Sequence, residues 1–521
     1  MSVESLRHRK RSMKSGPLLM LCLMVSGTLW AQPAPKHEFR GVWIATVKNI
    51  DWPLSRDGRV ERQQQEFREM LALHKANGMN AAIVQVRPAA DAFYFSALEP
   101  WSEWLNGKQG QAPRPYYDPL AFMVEEVHRA GMEFHAWFNP YRAATDMGPA
   151  KYIAPEHVYH RHPEWFVQYG NNLYFDPGVP EARDFVIEVI ADVVRRYDID
   201  AVHFDDYFYP YKIAGVAFPD TASFARYRGS FNNLEAWRRN NVNTFIQRVG
   251  ARIKAEKAWV KFGISPFGVW RNQDKDPKGS ATRAGQTSYD DLHADVLTWL
   301  AEGWIDYLLP QLYWSIGFPA AGFDVLAAWW NEHARGRHLY IGHGAYKINN
   351  NADKNWEDPA ETSRQIRMVR SYDKLLGSAF FSAKSFTSSP LSVNDSLRQD
   401  MYRYPALIPA MPWIDDTPPA APRALEASPQ ARGMVLTWEE PQIDAAGYVV
   451  YRFEKKQEVD IENPAHIVAI VRDTRPVFID SQISQAGKYT YLVTALDRIQ
   501  NESAASLPVT VKMTRKYLRG R

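Results

Sequence analysis

The amino-acid sequence predicts an α/β fold, a (β/α)8 TIM barrel followed by a small all-β immunoglobulin-like sandwich. Eight units of a short β-branched or aromatic run, a polar loop and a helical segment follow one another from residue 40 to about residue 400. A Pro-rich segment then precedes short alternating runs without helical periodicity. The length of 521 residues, with 45% hydrophobic and 23% charged residues, fits two globular domains and excludes a disordered chain or a multispan membrane protein.

The first 31 residues have the pattern of a secretory signal peptide. Basic residues precede an apolar run from Leu18 to Val25, and small residues follow up to Ala31. The run is too short to span a membrane, and the residues before Cys22, the single cysteine, are not the small ones that a lipoprotein signal requires. An uncleaved interfacial anchor is the alternative. Removal of the leader would leave a nearly neutral, cysteine-free chain, so we expect an exported protein, periplasmic or extracellular, with no integral membrane association.

The barrel prediction depends on eight candidate strands. Helical periodicity follows them, for example in Arg62–Asn77 and Ala182–Tyr197. A doubly wound open sheet is the competing architecture, but none of these strands is followed by a glycine-rich phosphate-binding loop. The candidate strands are Val42–Val47, Ala81–Val86, Glu133–Phe138, Ala201–Asp205, Val260–Ser265, Tyr307–Leu312, Leu339–Gly344 and Ala379–Ala383.

Domain boundaries follow from the change of pattern after the eighth unit. We predict a barrel over residues 36–413, a Pro-rich linker over 414–422 and a sandwich over 423–513. The candidate strands of the sandwich are Val435–Trp438, Gly447–Phe453, Ala465–Arg472, Lys488–Ala495 and Leu507–Val511. Three runs resemble a fibronectin type III domain in their order and spacing. They are Leu436–Trp438, Tyr448–Arg452 and Tyr489–Asp497.

The strongest candidate for chemistry is the segment from His203 to Pro210 at the end of the fourth strand. Its adjacent carboxyl groups, Asp205 and Asp206, are costly to bury unless they are paired or used, and such a pair divides readily into one acid and one base. Strand geometry places His203, Asp205 and Tyr207 on one face. Asp206 reaches the same cleft only if the strand ends before it. In the alternative, Asp206 caps the following segment and Asp205 forms an interior ion pair.

Polar and aromatic residues also end the neighbouring strands, so the sequence predicts one binding surface at the carboxyl-terminal mouth of the barrel. Aromatic rings that pack on C–H groups, with a few amide, guanidinium and carboxylate groups, suit a neutral polyhydroxylated ligand. In the alternative, most of these aromatic residues only pack the barrel. Besides His203 and Tyr207, the candidate substrate-binding residues are Arg87, Asp91, Trp137, Asn139, Tyr141, Arg142, Trp270, Arg271, Gln311, Tyr313 and Trp314.

Other chemistries find little support in the sequence. His157, His160 and His162 share one loop, but their spacing is not that of a standard zinc site, so we predict no metal and no cofactor. Ser265 lacks the G-x-S-x-G context of a serine hydrolase. Without the basic leader, the charge balance does not favour nucleic acid as a partner. The expected partner is a glycan substrate, and the sequence does not indicate an oligomeric state.

A further set of motifs occurs in order between about residue 38 and residue 400. The motifs are Arg40–Trp43, Gln85–Pro88 with Asp91–Ala92 and Tyr94, Pro100–Ser102, Asp118–Leu120, Trp137–Arg142, His162–Trp165, Phe204–Tyr207 with Tyr209–Pro210, Ser265–Gly268 with Trp270–Arg271, and Pro310–Gln311 with Tyr313–Trp314. As an ordered set they resemble the glycosyl-hydrolase-like 10 family of bacterial secreted or envelope proteins. The resemblance implies a (β/α)8 barrel that cleaves a glycan, with bacterial cell-wall glycan as the leading substrate class. It also implies that Asp205 and Asp206 are the catalytic residues.

The mechanism stays open among the retaining, inverting and substrate-assisted routes. Adjacent acids fit substrate assistance, in which the acetamido carbonyl of an N-acetylhexosamine attacks C1. We expect Asp206 to be the general acid, and Asp205 to orient the acetamido group or act as a nucleophile. His203 or Tyr207 would tune these two carboxyl groups.

Two rival functions remain open from the sequence. One is a non-catalytic carbohydrate-binding protein on a degenerate barrel, and the other is a metal-dependent polysaccharide deacetylase. For the hydrolase, we expect Gln311 and Tyr313 to hold the sugar.

Overall fold

The computed structural model describes two folded parts, a barrel and a sandwich, over residues 34–149, 151–439, 445–454, 457–472 and 475–518. Residues from Ala34 onward belong to one compact unit. The predicted leader, residues 1–31 with Cys22, lies outside the described residues. None of the helices in the described ranges is long and apolar enough to cross a membrane.

Parallel strand pairing closes the first part into a barrel. The strands of the described residues are, in chain order, β1 Phe39–Ile44, β2 Ala81–Arg87, β3 Glu133–Phe138, β4 Arg142–Ala144, β5 Phe166–Tyr169, β6 Asn172–Phe175, β7 Ala201–Phe204, β8 Lys261–Ile264, β9 Tyr307–Leu308, β10 His338–His343, β11 Leu375–Phe380, β12 Arg423–Gln430, β13 Gly433–Glu439, β14 Gly447–Glu454, β15 Ile467–Val471, β16 Val477–Asp480, β17 Gly487–Leu496 and β18 Val509–Met513. The barrel order is β1-β2-β3-β7-β8-β9-β10-β11, and β11 returns to β1. The predicted barrel is therefore confirmed.

Helices surround this barrel and bury one face against it. In the described part of the chain the α-helices of the barrel are α1 Val60–Ala76, α2 Glu103–Asn106, α3 Pro119–Arg129, α4 Pro180–Arg196, α5 Thr221–Tyr227, α6 Leu234–Glu256, α7 Val296–Ala301, α8 Phe323–Glu332, α9 Glu361–Arg370 and α10 Val393–Ser396. A short helix, α11 Arg515–Leu518, follows the last strand of the sandwich. The apolar spacing that predicts helices over Arg62–Asn77 and Ala182–Tyr197 corresponds to α1 and α4. In α4 the buried positions include Val186, Val189, Ile190 and Val193, as the 3.6-residue period requires.

All eight candidate barrel strands are present, but two boundaries differ in a way that affects the site. β1 is Phe39–Ile44 rather than Val42–Val47, and β11 is Leu375–Phe380 rather than Ala379–Ala383. Buried apolar residues continue past the last strand pairing, as Ala45 and Ala383 do, so composition does not mark the end of a strand. The shift places Trp43 and Phe381 near the carboxyl-terminal mouth.

The barrel interior is filled by large rings with polar tips. Phe39, Tyr307 and Tyr340 pack together there, and the Phe39 and Tyr340 rings stack at 4.1 Å between centroids. Gly263 of β8 faces Tyr307, where an added Cβ would lie 1.9 Å from the Cζ atom of that tyrosine. The glycine therefore makes room for Tyr307 on the barrel axis.

The carboxyl-terminal part folds as two antiparallel sheets, β12-β13-β16 and β15-β14-β17-β18, which confirms the immunoglobulin-like sandwich. Its core includes Trp438, Tyr448 and Tyr491. Each of the five predicted runs overlaps a strand, but β12 and β16 are absent from the prediction. β12 is an edge strand with Pro429 and many exposed residues, so its apolar alternation is weak. The fibronectin type III resemblance stays a prediction.

The sandwich contacts the amino-terminal end of the barrel, opposite the mouth. Glu133 begins β3 and Asp200 directly precedes β7. From the sandwich, the guanidinium of Arg472 pairs with Asp200, and Gln500 Nε2 donates to Glu133 Oε1 at 2.9 Å. Lys261 at the start of β8 donates to the same oxygen at 2.5 Å. The sandwich thus supplies polar partners to the barrel base.

Candidate active site

A cavity of about 320 Å³ opens where the barrel strands end. Barrel enzymes carry their catalytic groups at this end, and cavities of this size and larger bind small molecules. Asp205 and Asp206 both line it, and apart from Arg142 its polar groups are uncharged or acidic. The lining residues are Trp43, Ala45, Val47, Ile50, Gln85, Trp137, Arg142, Asp205, Asp206, Tyr207, Tyr211, Ser265, Gln311, Tyr313, Tyr346 and Phe381.

The end of β7 brings both carboxyl groups to the cavity. β7 stops at Phe204, so Asp205 and Asp206 leave strand geometry together. They are 5% and 2% exposed. The condition under which Asp206 reaches the cleft, namely a strand that ends before it, is met.

Asp205 is surrounded by hydrogen-bond donors. Trp137 Nε1 donates to its Oδ2 atom at 3.0 Å, and Asn139 Nδ2 donates to the same atom at 3.3 Å. The backbone N–H of Tyr207 donates to Oδ1 at 3.2 Å. Burial raises the pKa of Asp205 above its ordinary value, while the charge of Arg142 and these three donors oppose the rise. Arg142 and these donors therefore favour the carboxylate form of Asp205 and offset part of the effect of burial.

Asp206 has fewer partners. The Tyr211 hydroxyl donates to its Oδ2 atom. Burial, followed by the charge of Asp205, raises the pKa of Asp206 to about 7, against the lowering effect of Tyr211 and Gln311. Two adjacent carboxyl groups with such different surroundings fit a division into a proton donor, Asp206, and a carboxylate partner, Asp205.

A column of hydrogen bonds lies beneath the cavity. Trp43 Nε1 donates to His203 Nε2 at 3.3 Å, which leaves the proton of the neutral imidazole on Nδ1. His203 Nδ1 then meets the Tyr307 hydroxyl at 2.9 Å, and that hydroxyl meets His135 Nδ1 at 2.8 Å. His135 Nε2 lies 3.0 Å from Glu133 Oε2 at the barrel base. Burial, with the charge of His135, holds the pKa of His203 well below its ordinary value.

The structure brings five of the predicted binding residues to the cavity beside the two aspartates. Trp137 and Arg142 stand on the Asp205 side. The Arg142 guanidinium lies over the Tyr207 ring, 4.7 Å from its centroid. Gln311 Nε2 donates to the carbonyl oxygen of Ser265 at 2.9 Å, so its amide position is fixed by the neighbouring strand end. These five residues are Trp137, Arg142, Tyr207, Gln311 and Tyr313.

Other predicted binding residues lie behind the lining. Arg87 is fully buried and forms a two-point ion pair with Glu99, at 2.5 and 2.8 Å. Asn139 reaches Asp205 rather than the cavity. Asp91 is 1% exposed, and burial raises its pKa to about 7. His203 is fully buried below Trp43. Asn139 and His203 contact lining residues directly, Arg87 donates to the carbonyl oxygen of Asn139, and Asp91 is buried away from the lining.

A last group packs beside the site. Tyr141 is buried against Phe245, with 5.2 Å between ring centroids. Trp270 stacks on Trp329 at 5.9 Å, and Arg271 is paired with Asp276 and Asp290 at 2.9 Å. Trp314 meets the Phe267 ring edge-on. None of the four predicted residues, Tyr141, Trp270, Arg271 and Trp314, lines the cavity.

Four aromatic lining residues were not among the sequence-based candidates: Trp43, Tyr211, Tyr346 and Phe381. The boundaries predicted for β1 and β11 placed Trp43 and Phe381 inside strands rather than at their ends. Tyr346 follows β10, and Tyr211 follows the acidic pair by five residues. A search for aromatic residues shortly after each predicted strand would have found Tyr346 and Tyr211, whereas Trp43 and Phe381 can be recognised only from the observed strand ends.

The described residues hold no group of three or more His, Cys, Asp or Glu side chains placed to bind a metal ion. In the histidine-rich loop, His157 Nδ1 accepts from the backbone N–H of Tyr159 at 3.0 Å. The His162 ring stacks on Trp165 with 4.0 Å between centroids. These histidines therefore have local structural partners.

Comparison with known proteins gives matches over the barrel. The family model described as Glycosyl hydrolase-like 10 matches residues 38–358, which contain both cavity aspartates and seven of the eight barrel strands. Glycosyl hydrolase YngK of Bacillus subtilis (strain 168) is 48% identical over 503 residues, covering 95% of this chain and 97% of that protein. Glycosyl hydrolase DigH of Escherichia coli (strain K12) is 40% identical over 329 residues, covering 60% of this chain and 74% of that protein.

Among solved structures, the glycoside hydrolase domain of PgaB (BpsB) from Bordetella bronchiseptica is 11% identical, with a TM-score of 0.44, over 69% of this chain and 99% of that one.

Proposed function

Because the chain belongs to the glycosyl hydrolase-like 10 family, we propose that it is an exported glycoside hydrolase that cleaves bacterial cell-wall glycan containing N-acetylhexosamine. The relatives with 48% and 40% identity are both called glycosyl hydrolases, which supports the reaction class. The leader pattern of residues 1–31 supports export. The aromatic, nearly cation-free cavity supports a sugar substrate.

The observation that carries the proposal is the unequal pair of buried carboxyl groups in the cavity. Asp205 accepts from three donors and faces Arg142, so it is the better carboxylate. Asp206 has a pKa raised to about 7 by burial and by Asp205, so a large fraction of it carries a proton at neutral pH. Glycosidic cleavage needs both forms at once, one to give a proton and one to stabilise positive charge.

The proposed reaction follows substrate assistance. Asp206 gives its proton to the glycosidic oxygen while the C1–O bond breaks, and that oxygen takes the bonding electron pair. The acetamido carbonyl of the substrate attacks C1, and Asp205 accepts from the acetamido N–H and stabilises the positive charge of the ring formed. Water then attacks C1, the bond between C1 and the acetamido oxygen breaks, and its electron pair restores the neutral acetamido group. The water gives one proton to Asp206, which restores the starting state.

The test is fragment release from peptide-free glycan strands of the cell wall, followed by mass spectrometry. The variants Asp206→Asn and Asp205→Asn are each expected to lose about 100- to 10,000-fold in kcat/KM, because each removes one acid–base or charge-stabilising group. Asp184→Asn is the matched control, since Asp184 lies on α4 in a surface pair with Arg248.

The products distinguish the rival functions. Shortened strands with water added at each cut support the hydrolase. Loss of acetyl groups without shortening would indicate a deacetylase. Full activity in both aspartate variants, or tight binding by the wild type without any product, would contradict the proposal.

A further inference from the structure

Tyr211 stands at the rim of the cavity beside the proposed acid. Its hydroxyl donates to Asp206 Oδ2, while its side chain is 39% exposed. Its ring also lies 5.3 Å from the ring of Tyr207, measured between centroids. Tyr211 thus links a buried reacting group to the open side of the cavity, where a polymer would continue.

The loop that carries Tyr211 is anchored outside the cavity. The backbone N–H of Ile213 donates to the Tyr169 hydroxyl at 2.6 Å. Lys212 pairs with Asp291 at 2.6 Å. These contacts hold the backbone on the carboxyl side of Tyr211 without using any group of the acidic pair.

We propose that Tyr211 is the positioning residue for the proton of Asp206, and that the leaving sugar occupies the Tyr211 side of the cavity. This inference rests on the proposed glycosidase function and deepens it. A donor at Oδ2 makes that atom the acceptor oxygen of the neutral carboxyl group, so the proton is carried by Oδ1. After the proton has moved to the glycosidic oxygen, the same hydroxyl stabilises the carboxylate left behind.

The leaving-sugar assignment follows from the same contact. The proton donor of a glycosidase faces the leaving oxygen, and Tyr211 is the exposed neighbour of that donor. The other side of Asp206 is occupied by Asp205 and its donors Trp137 and Asn139, which are buried. The open, aromatic side is therefore the one with room for a departing sugar and a ring on which it can pack.

The electrostatic surroundings of Asp206 determine the sign of the expected pH effect. Burial and Asp205 raise the pKa of Asp206, while the Tyr211 hydroxyl and Gln311 lower it. Arg142 acts mainly on Asp205. Removing the Tyr211 hydroxyl therefore raises the pKa of Asp206 further. The titratable and charged groups facing Asp206 are Asp205, Tyr207 and Tyr211 from its own segment, Tyr313 from the segment after β9, and Arg142 across Asp205.

The experiment measures Tyr211→Phe on two substrates that differ in the leaving group. One is peptide-free glycan, whose leaving sugar needs the proton, and the other is 4-nitrophenyl di-N-acetylchitobioside, whose leaving nitrophenol does not. We expect kcat/KM to fall about tenfold on glycan and less than about twofold on the nitrophenyl substrate, within the range of general acid catalysis. The alkaline limb of kcat/KM on glycan should move up by about one pH unit.

Tyr346→Phe is the matched variant, because Tyr346 lines the same cavity and packs on Tyr313 and Phe381 rather than on the acidic pair. It should leave the ratio of the two substrates and the alkaline limb unchanged. An equal loss on both substrates in Tyr211→Phe, or an unmoved alkaline limb, would overturn the inference, because a merely structural role predicts those results.

A measurement without turnover separates this inference from the proposed function. The infrared carboxyl band of Asp206, identified by its absence in Asp206→Asn, can be titrated in the wild type and in Tyr211→Phe. A protein that cuts no glycan would refute the hydrolase proposal and, with it, the leaving-sugar assignment. An upward shift of the midpoint in that same protein would still support the contact by which Tyr211 positions the proton of Asp206. An unshifted midpoint would refute that contact even in an active enzyme.

Discussion

The two ends of the barrel each bury a pair of carboxyl groups, but the pairs have opposite electrostatics. At the base, Glu133 and Asp200 are buried among cations, and at the mouth Asp205 and Asp206 are buried with Arg142 alone. Burial by itself raises the pKa of all four. At the base the nearby charges reverse that effect, so the pKa of Glu133 and of Asp200 lies below the ordinary value. At the mouth the rise remains.

The difference separates the ion-paired carboxylates at the base from the pair proposed to react at the mouth. Glu133 has Lys261 and His135 as partners, and Asp200 has Arg472 and His128. A buried carboxylate with cations holds the fold and stays ionised. A buried carboxyl group without enough cations is costly to the folded state and is retained where its proton is useful. Burial of the four side chains is the same, so the partners decide their roles.

The largest effect on the free energy of unfolding is expected when the amino-terminal end of the barrel loses a cation. Arg472→Met should lower the free energy of unfolding by about 3–5 kcal/mol at pH 7, because Asp200 and Glu133 remain buried with less compensation. The specific activity of the folded fraction should persist, since the base is at the far end from the cavity. Urea unfolding and turnover of the same samples check both points.

The control for that variant is Arg248→Met, which removes a surface pair with Asp184 and should cost less than about 1 kcal/mol. The pKa of Asp200 is lowered in the folded state, so its contribution is present above its ordinary pKa and is lost as pH falls through the folded value. The difference between Arg472→Met and the wild type should therefore shrink toward acid pH. A constant difference would contradict the role of the base as a charge cluster.

At the mouth, we expect a change in the free energy of unfolding of intermediate size and opposite sign. The folded pKa of Asp206, about 7, lies above its ordinary value of 3.8, so between these pH values the folded protein holds more of this proton than the unfolded chain does. Wild-type stability therefore falls as pH rises through that window. Asp206→Asn removes the fall, and should be more stable than the wild type by roughly 2–4 kcal/mol at pH 8. Unfolding curves from pH 4 to pH 8 measure it.

Asp184→Asn serves again as the control, with no pH-dependent gain expected in this window. If Asp206→Asn destabilised the protein at pH 8, Asp206 would be a paired structural carboxylate like those at the base, and the comparison of the two ends would fail.

The smallest effect is expected in the column between the two ends. Tyr307→Phe removes the hydroxyl that joins His203 to His135, and should cost about 1–2 kcal/mol because two buried ring nitrogens lose a partner. The pKa of His203 is well below its ordinary value, so the cost should not vary between pH 6 and pH 8. Thermal unfolding at the two pH values, beside the exposed variant Tyr116→Phe, tests this. A strong pH dependence would contradict the assignment of His203 as an uncharged side chain.

Much of the fold could be predicted because it depends on local sequence patterns. Helical spacing in α1 and α4 and the β-branched runs of the barrel strands depend on residues only a few positions apart. The same holds for the adjacency of Asp205 and Asp206, which made them candidates without knowledge of the fold. The predicted ends of β1 and β11 lie beyond the observed ends, because buried apolar residues continue after strand pairing stops.

The sequence by itself therefore determined the order of the elements, the position of the acidic pair after the fourth barrel strand and the chemical character of the mouth. Only the tertiary structure decided which buried carboxyl group obtained which partner. Two of the three donors of Asp205, Trp137 and Asn139, come from β3 and its loop, 68 and 66 residues away, and Gln500 reaches Glu133 across 367 residues. A pKa depends on such contacts through space, and no local period encodes them, so the unequal surroundings that support the expected roles of Asp206 and Asp205 appear only when the chain is folded.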